Sequence, residues 1–599
     1  MKPRKILATF ALFAAGAAAH AANAMGGASG PAERAQDAGP AASEALAPKA
    51  PASAPAPARF EAPAARREDH VDELHGVKVA DPYRWLEDPD SAETRSWIDA
   101  ENHLTFGYLA KIPAREPLKK RLTELWNYAK FGVPVKRGGH YFFTWNDGLR
   151  NQAPIYVLDR LDGEPRLLLD PNGLSADGTV ALKDFAVSHD GRLMAYGLSS
   201  AGSDWEIWKV RDVATGKDLA DELRWVKFSA AAWTLDDAGF FYSRFAEPHA
   251  GTELEDANYF QKVYYHRVGT PQAEDRLVYE RTDQKELGFI GTVTDDGHYL
   301  VITVWRGTEI KNGSYYQDLT KPGSPVVRLL DTFDASYGFL GNDGPTFFFQ
   351  TDLAAPRGRV IAIDVRDPDR SKWREMIPQG ADALQAARAV GPGFVGLYLH
   401  DAASRVEVFD AAGKSKRAVQ LPGLATVDGF LGERGDDETF YSLESFSRPA
   451  TIYRYDLGTG ASTVFREPKL GFDPDAYETR QVFYPSKDGT KVPMFLTGRK
   501  GWKEDGSAPV LLYGYGGFNI SITPDFHVRN LVWMERGGLL AIANLRGGGE
   551  YGEEWHLAGA KLKKQNVFDD FAAAAEWLVK NHVTTREKLI IDGRSNGGL

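Results

Sequence analysis

The chain has 599 residues, 43% of them hydrophobic and 26% charged, with a formal net charge of -11. That length exceeds a single hydrophobic core, so at least two domains are expected, and the apolar content excludes a disordered chain. A negative surface repels phosphate backbones and excludes nucleic acid as a partner. The absence of cysteine removes disulfides, thiolate zinc sites, iron–sulfur clusters and a cysteine nucleophile.

The first segment is predicted to be a targeting signal. Lys2, Arg4 and Lys5 precede an apolar run over residues 6–19, and small residues follow, with Ala21 and Ala24 ending candidate cleavage motifs. The run is shorter than the ~20 residues that a spanning helix needs. A signal peptide over residues 1–24 is therefore expected instead of a membrane anchor, with export to the periplasm or the medium. Residues 25–65 are rich in Ala, Pro and Gly with almost no bulky apolar residue, and are expected to be a disordered linker.

Residues 131–475 alternate short strands with turns. A turn signal followed by an aromatic or aliphatic strand recurs at Gly139, Asp190, Asp237, Asp296, Asp343, Gly393 and Asp437. Its period is about 50 residues, the mark of a β-propeller, and seven signals predict seven blades. A propeller by itself is consistent with a non-catalytic peptide-binding module.

The pattern changes over residues 476–599. A hairpin around Asp488-Gly489 leads to continuous apolar runs at 509–513, 539–543 and 589–591, as in buried parallel strands. Between the last two runs, residues 567–580 have helical spacing, which predicts Phe568, Phe571, Ala575 and Leu578 on one side. Strands alternating with helices give an α/β domain. Directly after the third run comes Gly593-Arg594-Ser595-Asn596-Gly597, the Gly-x-Ser-x-Gly pattern of an α/β-hydrolase nucleophile elbow. The serine must sit on a strained strand-to-helix turn, and the glycines let neighbouring backbone pass. Arg546-Gly547-Gly548-Gly549 lacks the Gly-Lys-Ser/Thr ending of a phosphate loop. No zinc or calcium motif is present, so neither a metal nor a cofactor is expected.

These motifs resemble the prolyl oligopeptidases. Ser595 in Gly-x-Ser-Asn-Gly-Gly is preceded by the loops Tyr513-Gly514-Tyr515-Gly516-Gly517-Phe518 and Arg546-Gly547-Gly548-Gly549-Glu550-Tyr551-Gly552. The run from Asp81 to Pro89 resembles the same family, and the likeness extends from about Arg66 to Leu599. The resemblance implies a seven-bladed β-propeller joined to an α/β-hydrolase domain. Residues 66–130 would pack on that hydrolase domain. The propeller would cover the active site and admit short proline-containing peptides, cut after proline; separately from the resemblance, a monomer is expected. Ser595 would form the acyl-enzyme, the backbone N–H of Asn596 and the Tyr515 hydroxyl the oxyanion hole, Phe518 the proline pocket, and Phe241 a more distant substrate pocket.

In this fold the triad acid and histidine follow the serine. Only Asn596, Gly597, Gly598 and Leu599 follow here, so the hydrolase domain is expected to be truncated and the 599-residue chain inactive by itself. His556 and His582 lie on other connections and are expected to be structural. An α/β-hydrolase acting on esters or acyl-peptides is the remaining alternative.

Overall fold

The computed structural model describes residues 61–249, 251–253 and 256–599. The expected signal peptide and nearly all of the linker lie outside the described residues. The chain divides into two units. In the smaller, strands Val71–Leu74 and Val77–Ala80 form an antiparallel hairpin, turned at His75 and Gly76 with positive φ. The Ser91 hydroxyl then caps helix Ala92–Leu109 by accepting from the Thr94 N–H.

In the larger unit, residues 130–466 form antiparallel meanders. The predicted turns are present: Gly191 and Gly297 adopt φ +74° and +70°, which their lack of a Cβ permits. Consecutive sheets pack face on face. Val395 and Val406 meet Val427 and Tyr441, for instance, and Phe348 and Val360 meet Leu384 and Phe394. The first sheet packs against the last through Tyr141, Phe143 and Phe440. The Tyr141 hydroxyl donates to Glu438 Oε1 at 2.5 Å across that junction. A circle of sheets, each covering its neighbour's apolar face, is a β-propeller.

The expectation of seven separate blades needs correction. Five stand as sheets of their own, at 130–169, 287–330, 337–377, 383–419 and 426–466. The remaining eight strands, from Val180 to Tyr279, form one continuous sheet in place of two blades. The join is a single pair, Val226 with Arg244. The ten-residue strand Lys217–Val226 is long enough to reach the next meander.

Residues 477–599 build a five-stranded mixed sheet. Its spatial order is Tyr477–Pro485, Lys491–Arg499, Leu539–Ala543, Val510–Gly514 and Leu589–Asp592. The first two strands are an antiparallel hairpin, and the last three run parallel. Helix Gln565–Lys580 covers one face over Val492, Met494, Leu512 and Ala541. Its buried side is Val567, Asp570, Ala574 and Leu578, and Phe571 and Ala575 of the predicted side pack partly buried against the same core, whereas Phe568 is exposed and departs from the prediction. Phe495, Leu540 and Ile542 on the opposite face pack against Ala402, Ala403 and Phe446 of the propeller. This partial α/β-hydrolase sheet delivers the end of Leu589–Asp592 to the site.

Candidate active site

Ser595 follows the parallel strand Leu589–Asp592 and is exposed, with φ +51°. A left-handed conformation is costly for a residue with a Cβ and persists only where the surroundings impose it. The flanking glycines show how. A Cβ on Gly593 would stand 2.1 Å from the Gly597 carbonyl oxygen, and one on Gly597 2.7 Å from the Gly514 carbonyl oxygen. Both obstacles are backbone, so the chain passes itself closely only because neither residue carries a side chain.

The Tyr515 loop lies against this elbow. Asn596 Nδ2 donates to the Tyr515 carbonyl at 2.9 Å. Lys564 Nζ donates to the Gly516 carbonyl at 2.9 Å and to Asn596 Oδ1 at 3.1 Å. A Cβ on Gly517 would stand 2.4 Å from Asn596 Nδ2. The elbow and the loop are therefore tied by the Asn596 side chain and the Lys564 ammonium, neither of which sequence reasoning singled out for this. Burial lowers the Lys564 pKa. Lys564 ends the run Lys561-Leu562-Lys563-Lys564, which in sequence looks like a solvated charged turn.

Tyr515 is half-buried beside the elbow, and Phe518 is 40% exposed with φ +53°. Ser595, Asn596, Tyr515 and Phe518 are thus gathered on two contiguous loops. Phe241 is not among them. It is 2% exposed in strand Gly239–Arg244, packed among Val263, Leu287, Phe289 and Leu300 with its ring 5.2 Å from that of Tyr265. A ring sealed between sheets cannot line an open pocket, so Phe241 leaves the binding set.

Among the described residues, no hydrogen bond joins the Ser595 hydroxyl to a histidine. His556 Nδ1 lies 3.1 Å from the Asn519 N and 2.9 Å from the Gly547 O, bracing the loop behind Tyr515. His582 is exposed on a turn at φ +57°. A third histidine, His527, approaches from helix Val528–Glu535, of which it is the N-cap. Its Nε2 is 2.7 Å from Asp525 Oδ2. That contact raises its pKa, partly offset by burial and by Arg594. Glu444, from the propeller, faces the same segment; burial, reinforced by Asp525, pushes its pKa up to about 7.

The loop beyond strand Leu539–Ala543 is anchored from below. Arg546, 4% exposed, places Nε and NH2 on the fully buried Asp570 at 3.1 and 2.6 Å. It also reaches Asp488 Oδ2 at 2.5 Å, which holds the Asp488 pKa down at about 2. The hairpin, the helix and the glycine-rich loop therefore converge on one guanidinium. Among the described residues no three His, Cys, Asp or Glu side chains gather as a metal cluster.

The chain is also similar to known proteins over most of its length. Residues 63–468 match the prolyl oligopeptidase N-terminal β-propeller domain, and residues 524–599 match the prolyl oligopeptidase family. A prolyl endopeptidase of Elizabethkingia meningoseptica is 41% identical, over 90% of this chain and 76% of its own. A dual function macrocyclase-peptidase of Galerina marginata is 35% identical, over 90% and 78%. A structure from a study of two prolyl endopeptidases superposes with TM-score 0.84 at 39% identity, over 90% of this chain and 79% of that one. Prolyl oligopeptidase B of Galerina marginata, bound to a 25mer macrocyclization substrate, gives TM-score 0.84 at 32% identity, over 90% and 79%.

Proposed function

The chain belongs to the prolyl oligopeptidase family, and from that premise we propose that it carries the nucleophile of a serine endopeptidase that cuts short peptides after proline. The observation that carries this is the strained, exposed Ser595 between Gly593 and Gly597, facing the Tyr515 loop. In this mechanism Ser595 Oγ attacks the prolyl carbonyl and forms an acyl-enzyme that water then cleaves. The Asn596 N–H and the Tyr515 hydroxyl donate to the oxyanion, and each such donor stabilises the transition state by about 3–4 kcal/mol. The Asn596 side chain and Lys564 hold the two donors in register. Phe518 offers its exposed ring to the proline.

A serine hydroxyl needs a base, and no histidine reaches Ser595 among the described residues. The 599-residue chain by itself is therefore proposed to be inactive. The substrate is a short proline-containing peptide and the protein a monomer exported to the periplasm or the medium. Among the described residues no helix is long and apolar enough to cross a membrane.

The test compares the 599-residue chain with a chimera that adds the carboxyl-terminal segment of the Elizabethkingia meningoseptica relative. The chimera is expected to cleave a Gly-Pro amide in preference to a Gly-Ala amide and to simple esters, and to lose this in Ser595→Ala. Equal cleavage of all three would remove the proline assignment. Ser595-dependent turnover by the 599-residue chain would remove the inactivity.

A further inference from the structure

Lys564 carries a positive charge where the local structure does not favour one. It is the N-cap of helix Gln565–Lys580, and its side chain makes no capping bond. The first turn of that helix holds no acid. The positive end of a helix dipole attracts anions and repels cations, so an ammonium here weakens its own helix. The first acids along the helix are engaged elsewhere. Asp569 accepts from Gln565 at 3.0 Å and lies 3.8 Å from Lys487, and Asp570 holds Arg546. Among the described residues no carboxylate pairs with Lys564, and burial lowers its pKa with no acid to oppose it.

The ammonium is turned to the elbow instead. Nζ donates to the Gly516 carbonyl at 2.9 Å and to Asn596 Oδ1 at 3.1 Å. The Asn596 amide passes this polarisation on, since its Nδ2 donates to the Tyr515 carbonyl at 2.9 Å. Gly516 is closely confined: its φ is +59°, and a Cβ there would stand 2.4 Å from Val567 Cγ1. One charge thus lies against Asn596 itself and against the residue that follows Tyr515.

We propose that Lys564 is a positioning residue whose charge also stabilises the oxyanion, beyond its tie between the two loops. This rests on the reading of Ser595 as the nucleophile. A half-buried ammonium without a counter-ion is costly. A negative oxygen forming at the elbow supplies the missing counter-charge. The interaction is then stronger in the transition state than in the free chain, which is the condition for catalysis. A tie alone would be served as well by a neutral donor, so the competing explanation is purely structural.

The test separates charge from tie with a ligand that becomes an anion on Ser595. The boron of N-acetyl-glycyl-boroproline bonds to Ser595 Oγ, the hydroxyl proton goes to solvent, and the tetrahedral boronate carries the negative charge. Boron NMR follows this adduct on the 599-residue chain. Lys564→Gln keeps a neutral donor and Lys564→Met keeps none, yet both should weaken the adduct by about 10- to 100-fold, less than the loss of a direct oxyanion donor. Lys564→Arg retains the charge and should lose less than either. Binding of the uncharged N-acetyl-Gly-Pro amide should be the same in all these variants. Parent-like adduct formation in Lys564→Gln would overturn the role of the charge and leave a tie. An equal loss for the amide would assign Lys564 to the folding of the loop and overturn it as well. No adduct on Ser595 in the parent chain or in the chimera would instead remove the nucleophile, and this role with it.

Discussion

Asp570→Ala should loosen the hydrolase part of the molecule and spare the propeller. The carboxylate is fully buried and accepts from Arg546 Nε, Arg546 NH2, the Arg546 N–H at 3.0 Å and the Ser486 hydroxyl at 2.6 Å. Its removal leaves a guanidinium 4% exposed with the half-exposed Asp488 as its remaining counter-ion, and strips an amide and a hydroxyl of their acceptor. Breaking one side of a buried pair costs about 3–5 kcal/mol. At about 1.4 kcal/mol per factor of ten, exchange of amides protected by this network should rise from about 10²-fold to several thousand-fold. Hydrogen-exchange mass spectrometry should place the rise in 484–490, 539–552 and 565–580, with the sheets of 130–466 unchanged. The double variant Arg546→Met/Asp570→Leu removes both charges and should recover part of this loss, the Arg546 N–H and the Ser486 hydroxyl still lacking their acceptor. Unchanged exchange in Asp570→Ala, or an equal rise across the propeller, would refute the idea that this ion group holds the glycine-rich loop.

Two further outcomes are expected. His266 is fully buried between Asp275 at 2.7 Å and Asp221 at 2.9 Å. Burial opposes its charge, but the hydrogen bonds to Asp221 and Asp275 outweigh this and raise its pKa to about 9. Its stabilisation is then fully present below about pH 6.5, of order 3 kcal/mol, and is lost as pH rises through 9. The difference in urea midpoint between the parent and His266→Gln should therefore shrink between pH 6 and 10; a constant difference would show that His266 is neutral in the fold. For the elbow, Gly593→Ala should destabilise residues 589–599 by about 1–3 kcal/mol, because the obstacle is the Gly597 backbone. Gly471→Ala, with no atom within 4 Å, should stay within about 0.5 kcal/mol and serves as the control for limited proteolysis.

What sequence reveals here depends on how local the cause is. The elbow is legible because its constraint is steric and confined to five residues. Gly593 and Gly597 admit no Cβ, and an apolar strand must end just before them. The propeller is legible for the same reason, since each hairpin needs its own turn residues, as at Gly191 and Gly297. The merging of two blades is not legible, because one hydrogen-bonded pair between Val226 and Arg244 decides it and leaves no mark on composition.

Phe241 and Asp570 show the two ways a side chain escapes such reasoning. Strand alternation says that successive side chains point to opposite faces, but in a propeller both faces are covered by neighbouring sheets. An aromatic on a propeller strand is therefore no evidence of an open pocket, and Phe241 is sealed among Val263, Leu287 and Phe289. Asp570 left a usable signal. It occupies the buried stripe of helix Gln565–Lys580 with Val567, Ala574 and Leu578, where an unpaired carboxylate would be prohibitive. Its position demands a cation or several donors from elsewhere in the chain, and Arg546, which opens the glycine-rich loop, supplies both a guanidinium and a backbone N–H.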